Sequence, residues 1–146
     1  MKNIFVLSAL GFACGLPYML VFSTLSAWLR DAGAALTVIG FISWAALTYS
    51  LKFLWSPFVD RIKMPLNQVV GQRRSWILMM QLLILILIMM MSQFDPISSL
   101  NFIVITAVLI AFFGSLQDIA VDAYRIELVG LDEQGNLAAS YQFGYR

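Results

Sequence analysis

The chain has 146 residues, of which 61% are hydrophobic and only 12% charged. Soluble domains average about 25% charged residues, and a mean hydropathy of +0.85 places the chain among membrane proteins. The net charge of +1 provides no global field for nucleic acid. The absence of histidine removes the usual zinc or haem ligand, and the single Cys14 excludes a disulfide framework.

A bilayer crossing takes about 20 apolar residues at 1.5 Å rise. Four segments meet that length, roughly at Ile4–Leu29, Val38–Trp55, Trp76–Phe94 and Leu100–Ala123. The first is too long for a secretory signal peptide and lacks a small-x-small cleavage site. Residues Leu137–Arg146, after the polar turn Gly130–Asn136, read as the opening of a fifth helix. The predicted class is therefore all-α, a polytopic membrane helix bundle of four transmembrane helices plus the start of a fifth. Ending on an incomplete apolar helix suggests part of a longer or split protein.

Basic residues set the expected orientation. Arg61, Lys63, Arg73 and Arg74 lie between the second and third segments, with Lys52 just before, whereas Asp95–Ser99 carries no cation. The basic loop is predicted to be cytoplasmic, and with it the N-terminus and the Gly130–Asn136 turn.

Three constellations could carry function. In the first segment Gly11 and Gly15 share one face and Pro17 removes a backbone donor. They read either as tight packing with a tolerated bend or as a broken helix lining a pathway. In the basic loop, Asp60-Arg61 closes one helix and Arg73-Arg74 opens the next. Arginines there suit bidentate pairing with carboxylates in a gate, or anchoring against anionic lipid.

On the fourth segment Asp118, Asp122 and Arg125 are spaced i, i+4 and i+7 on one face, beside Gln117. A charge at the bilayer centre is disfavoured by at least ~2.5–3.5 kcal/mol, so these residues should be paired, hydrated or functional. Counted from Leu100, Asp118 lies ~27 Å along the helix, near the cytoplasmic edge of a ~30 Å core. Pairing of Asp118 or Asp122 with Arg61, Arg73 or Arg74 is expected, with a deeper proton site as the competing reading. Tyr49 and Lys52 are candidates for a pathway lining, although lysine more often snorkels to the interface.

Taken together, the strings Gly11–Pro17, Ala27–Gly33, Ile39-Gly40, Lys52–Pro57, Asp60-Arg61, Gly71–Arg74, Trp76 and Gln117–Ala123 resemble the AmpG-type muropeptide permeases, within the major facilitator superfamily. The resemblance covers nearly the whole chain. It implies a multi-pass protein of the bacterial inner membrane that imports anhydro-muropeptides, small glycopeptides, by proton-coupled alternating access and without a cofactor. It further implies that Asp60, Arg61, Arg73 and Arg74 serve a cytoplasmic gate, and that Asp118 and Asp122 are its acidic partners or the coupling residues. Gln72 stands where many relatives carry a further arginine. The implied fold has about twelve helices, more than this chain holds, so a second polypeptide would supply the remainder.

Other readings stay open. An acetyl-CoA transporter-like carrier shares the Gln-Asp-x-Ala-Val-Asp pattern, and an inactive truncated remnant accounts for the length. A Mg²⁺-dependent membrane transferase could use Asp118 and Asp122, but a second acidic motif on another helix is missing from the sequence.

Overall fold

The computed structural model describes residues 2–128 and 134–146. The first span begins with α1 (Lys2–Met19), passes through a π-helical turn at Leu20–Thr24 and continues as α2 (Leu25–Asp31). Pro17 lies buried within α1. The helix runs on past it, and the register slips one turn later, where the Leu25 N–H bonds Leu20 O. Gly33, at φ +88, ends the span because the left-handed region favours glycine. Its neighbour Ala34 donates to Leu29 O at 2.9 Å, which satisfies a terminal carbonyl.

The second span is not one rod. It divides into α3 (Leu36–Ser43), α4 (Ala46–Ser50) and α5 (Lys52–Arg61), with a 54° bend at Leu51. Lys52 thereby opens a new helix rather than continuing an old one. A short α6 (Asn67–Val70) leads to Gly71, also at φ +88, and then to α7 (Gln72–Met91). Arg73 and Arg74 therefore belong to the first turn of α7, not to a loop. The fourth long helix, α8 (Leu100–Leu128), runs five residues past the hydropathy boundary at Ala123, and α9 (Gln134–Tyr145) follows. Gly130–Glu133 of the predicted polar turn lie outside the described residues.

Packing follows small and branched side chains. In lipid there is no hydrophobic drive between helices, so close van der Waals contact must hold them. Helix α7 lies along α8, and α1 lies along α9. A methyl group at Gly11 would run into Tyr141 O and one at Gly15 into Tyr145 O; one at Gly144 would meet Ser8 O. Ser8 Oγ adds a hydrogen bond to Ser140 O at 3.0 Å. Gly11 and Gly15 are thus contact positions between two backbones, which leaves them no room to line a pathway.

One core cluster gathers Cys14, Val59, Trp76, Met80, Ala120 and Tyr141. A second gathers Val21, Leu25, Leu29, Ile42, Ile84 and Ile110 towards the other end. Phe5, Phe12, Phe41, Trp44, Phe53, Leu85 and Met89 are exposed around the outside. An apolar perimeter of that kind suits acyl chains rather than water. Three described helices are long and apolar enough to span a membrane, four when the bent pair is taken as one.

Candidate functional site

The break at Leu51 positions the first charged group. Lys52 is the opening residue of α5, where the helix dipole disfavours a cation. Local structure does not hold it; two carboxylates of α8 do. Lys52 Nζ donates to Asp118 Oδ2 at 2.8 Å and to Asp122 Oδ2 at 3.0 Å. One helical turn separates the aspartates, so both face one ammonium. Asp118 Oδ1 also accepts from Tyr141 Oη on α9. Arg125 NH2 lies 3.6 Å from Asp122 Oδ1, and its guanidinium sits 5.7 Å from the Tyr141 ring centre.

This arrangement corrects the expected pairing. Asp118 and Asp122 do not reach Arg61, Arg73 or Arg74: Arg61 closes α5 at the end away from Lys52, and Arg73 and Arg74, in the first turn of α7, meet Asp60, Glu127 and Tyr124. Lys52 intercepts the carboxylates first. The gap where a Mg²⁺ ion would have to bridge the two aspartates holds its ammonium. Gln117 is fully buried; its Nε2 meets Cys14 Sγ at 3.5 Å while Oε1 has no partner.

A cavity of about 530 Å³ opens beside the cluster, lined by Tyr18, Tyr49, Lys52, Asp118, Gln142 and Tyr145 among others. Its aromatic wall is ordered. Tyr18 and Tyr49 rings meet edge to face at 5.5 Å, and Tyr18 and Tyr145 lie 6.3 Å apart. The buried Tyr49 hydroxyl has no hydrogen-bond partner among the described residues and abuts Gly114. Such a pocket offers a cation, an anion and ring faces to one ligand.

A second ionic layer lies further along α8. Arg73 donates through NH1 to Asp60 Oδ1 at 2.5 Å and through Nε to Glu127 Oε1 at 2.9 Å. One guanidinium thus ties the end of α5 to the end of α8. Arg74 NH2 donates to Tyr124 Oη at 3.2 Å and stacks on that ring at 5.5 Å. Arg61 is exposed and makes no ion pair with the described residues. Gln72 spends its amide on the end of α5, donating to Ile62 O at 2.5 Å, where Trp76 Nε1 also donates at 3.1 Å. It is a helix-end clamp rather than a gate contact.

The family described as acetyl-coenzyme A transporter 1 matches residues 3–143. The chain belongs to this transporter family. Among its relatives, the putative transporter AmpG 4 of Rickettsia felis is 38% identical over 99% of this chain and 35% of its own length. The anhydromuropeptide permease of Escherichia coli K12 is 40% identical over 97% of this chain and 28% of its own length. An uncharacterised Haemophilus influenzae protein is 39% identical over 92% of the chain. The chain spans about a third of the length of these relatives. As an AmpG-like transporter chain, it is a multi-pass helical membrane protein with its ionic residues gathered at one end of α8.

Sequence reasoning missed Glu127, Tyr141 and the central role of Lys52. Glu127 fell beyond the hydropathy boundary of its helix. Tyr141 carried no signal of its own. Lys52 carried one: a cation at the end of an apolar run that also contains a polar Thr48-Tyr49-Ser50 stretch, where a straight helix is weakest.

Proposed function

We propose that this chain forms the N-terminal part of a proton-coupled permease of the major facilitator type, which carries anhydro-muropeptides across a bacterial inner membrane by alternating access. The observation that carries this reading is the Lys52–Asp118–Asp122 cluster, set in an apolar bundle and open to an aromatic-lined cavity. Buried ionisable groups in a span are disfavoured unless they serve transport or pairing, and this cluster adjoins space a ligand can enter. The substrate class comes from the Escherichia coli relative, an anhydromuropeptide permease.

In this reading Asp118 and Asp122, with Gln117 and Arg125 beside them, couple protons to movement. Asp60, Arg61, Arg73 and Arg74 form the cytoplasmic gate, Arg73 by its bonds to Asp60 and Glu127. The excess of basic residues on that side supports a cytoplasmic gate and N-terminus. Further helices, on this polypeptide's extension or on a second chain, complete the cavity, since the relatives are about three times as long.

The test is uptake of labelled anhydro-muropeptide in a permease-deficient host, expressing this chain alone and together with the product of the adjoining reading frame. Uptake in the second case supports the reading. No uptake in a host where both proteins reach the membrane overturns it. The family description supports a second reading, a carrier for an acetyl-coenzyme A-like anion. Competition of uptake by acetyl-coenzyme A, and not by muropeptide, would select it.

A further inference from the structure

Two carboxylates, Asp118 and Asp122, face two cations, Lys52 and Arg125, so the inner cluster is neutral when all four are ionised. The other titratable groups turned towards Asp118 are Tyr141 and Tyr145 on α9, Tyr49 on α4 and Cys14 on α1. All four are uncharged near neutral pH. Arg146 lies exposed at the mouth of the cavity.

A lone net charge in a membrane span is strongly disfavoured. One proton added to the cluster leaves it with one uncompensated positive charge, and one incoming anion restores neutrality. We infer that Lys52 is the receptor for a carboxylate of the transported molecule, released for that role by protonation of Asp118. The inference rests on the carrier reading above and adds what the carried molecule must contain.

The geometry gives each group a part. Lys52 and Asp118 both line the cavity. The Lys52 side chain is 40% exposed and that of Asp118 12%, so the ammonium reaches the open space while the carboxylate stays at the floor. The proton binds Asp118 Oδ2, and the 2.8 Å bond from Lys52 Nζ breaks. The freed N–H donates to a carboxylate oxygen of the ligand. Tyr141 Oη goes on donating to Asp118 Oδ1, and Asp122 remains ionised between Lys52 and Arg125. One proton therefore enters with each carboxylate. Tyr18, Tyr49 and Tyr145 supply ring faces for the rest of the ligand, which fits a sugar or another flat apolar surface.

The test uses this chain in lipid nanodiscs and two probes that differ by one lactyl carboxylate, N-acetylmuramate and N-acetylglucosamine. Binding is measured at about pH 5.5 and about pH 8. N-acetylmuramate should bind more tightly at the lower pH, by up to roughly tenfold for each pH unit over which one proton is taken up with it, while N-acetylglucosamine shows no change. Asp118→Asn should bind N-acetylmuramate at about pH 8 as the wild type does at about pH 5.5, without pH dependence. Lys52→Arg should retain binding and Lys52→Gln lose it. Where Lys52→Gln does not fold by circular dichroism, Asp118→Asn decides. Equal affinity for the two probes, or wild-type pH dependence in Asp118→Asn, overturns the assignment. Muropeptide uptake is read separately. Its absence with the carboxylate effect intact removes the muropeptide reading alone, and the converse removes the role of Lys52 alone.

Discussion

Two chemically identical substitutions should have opposite signs in this fold. At Gly11 an added Cβ would strike Tyr141 O and lie 3.0 Å from its carbonyl carbon and 3.1 Å from Tyr145 N. These are backbone atoms of α9 and cannot rotate away, so the two helices must part. Overpacking of this kind is destabilising by about 1–3 kcal/mol, and a rigid neighbour favours the upper part of that range. Separation also weakens the Ser8–Ser140 bond, worth about 0.6 kcal/mol by the average for membrane helices. At Gly40, inside α3, an added Cβ meets nothing within 4 Å. There the change removes the entropy penalty of a helical glycine and stabilises by about 0.5–1 kcal/mol.

Gly11 is helical too, so the helix-propensity gain is common to both and cancels, and Gly11→Ala and Gly40→Ala should differ by the overpacking alone, about 2–3 kcal/mol. Thermal unfolding in detergent, followed by circular dichroism, measures the difference. A Ser8→Cys, Ser140→Cys pair reports the interface itself, because its crosslinking should fall in the Gly11→Ala background and persist in Gly40→Ala. Equal stability of the two variants with undiminished crosslinking would refute backbone-to-backbone packing of α1 on α9.

The remaining predictions concern charge. Arg73→Gln removes both outer ion pairs, but Asp60 and Glu127 are 52% and 55% exposed, so unfolding should shift by about 1 kcal/mol or less per pair; a larger loss that survives about 1 M salt would contradict the exposed geometry. A cysteine replacing Gly71 should resist an impermeant thiol reagent applied to intact cells, and rapid labelling would reverse the proposed orientation. Asp95 accepts from the backbone N–H groups of Ser98 at 2.8 Å and Ile97 at 3.1 Å, which holds its carboxyl below the ordinary 3.8. Because that value is depressed on folding, the stabilisation is complete above the ordinary value and lost as pH falls through the lowered one. Carbon-13 titration of the side chain should give a midpoint below 3.8, and a midpoint at or above it would be contrary.

The periodic features of this chain were legible because a helix imposes them. Asp118, Asp122 and Arg125 had to share a face, and Gly11 and Gly15 had to offer a shallow one. What spacing could not show was the partner. Lys52 meets Asp118 across 66 residues and Asp122 across 70, and it does so only because the second span breaks at Leu51. Hydropathy averages over that break, so the sequence offers Lys52 only as a candidate for a pathway lining or a snorkelling cation, with no partner named. The helix end at Leu128 was hidden for a related reason. Tyr124, Arg125 and Glu127 lower the local hydropathy while α8 continues into the polar zone, and the expected arginine pairs rested on helix depth alone, which places Asp118 near the basic residues but cannot show that Lys52 lies nearer.

The two ionic layers differ in a way that assigns them different work. Both hang on α8, with Asp118 and Glu127 nine positions and ~13 Å apart along the axis. The outer layer, Asp60–Arg73–Glu127, is half exposed, so solvent screens it and its opening is opposed by about 1 kcal/mol per pair. The inner layer holds Asp118 with a 12% exposed side chain and a tyrosine on its second oxygen. The Lys52 side chain is 40% exposed, so solvent screens the ammonium as well, and the inner layer is the harder to part through its buried carboxylate and two-aspartate pairing rather than through full burial. On the proposed carrier reading, a proton on Asp118 frees Lys52 from that carboxylate and leaves the cluster with one positive charge, which the carboxylate of the ligand compensates. A displacement of α8 against α5 must loosen both layers, since Lys52 and Asp60 lie on the same ten-residue helix. On the same carrier reading, the inner layer sets when the helices move and the outer layer follows.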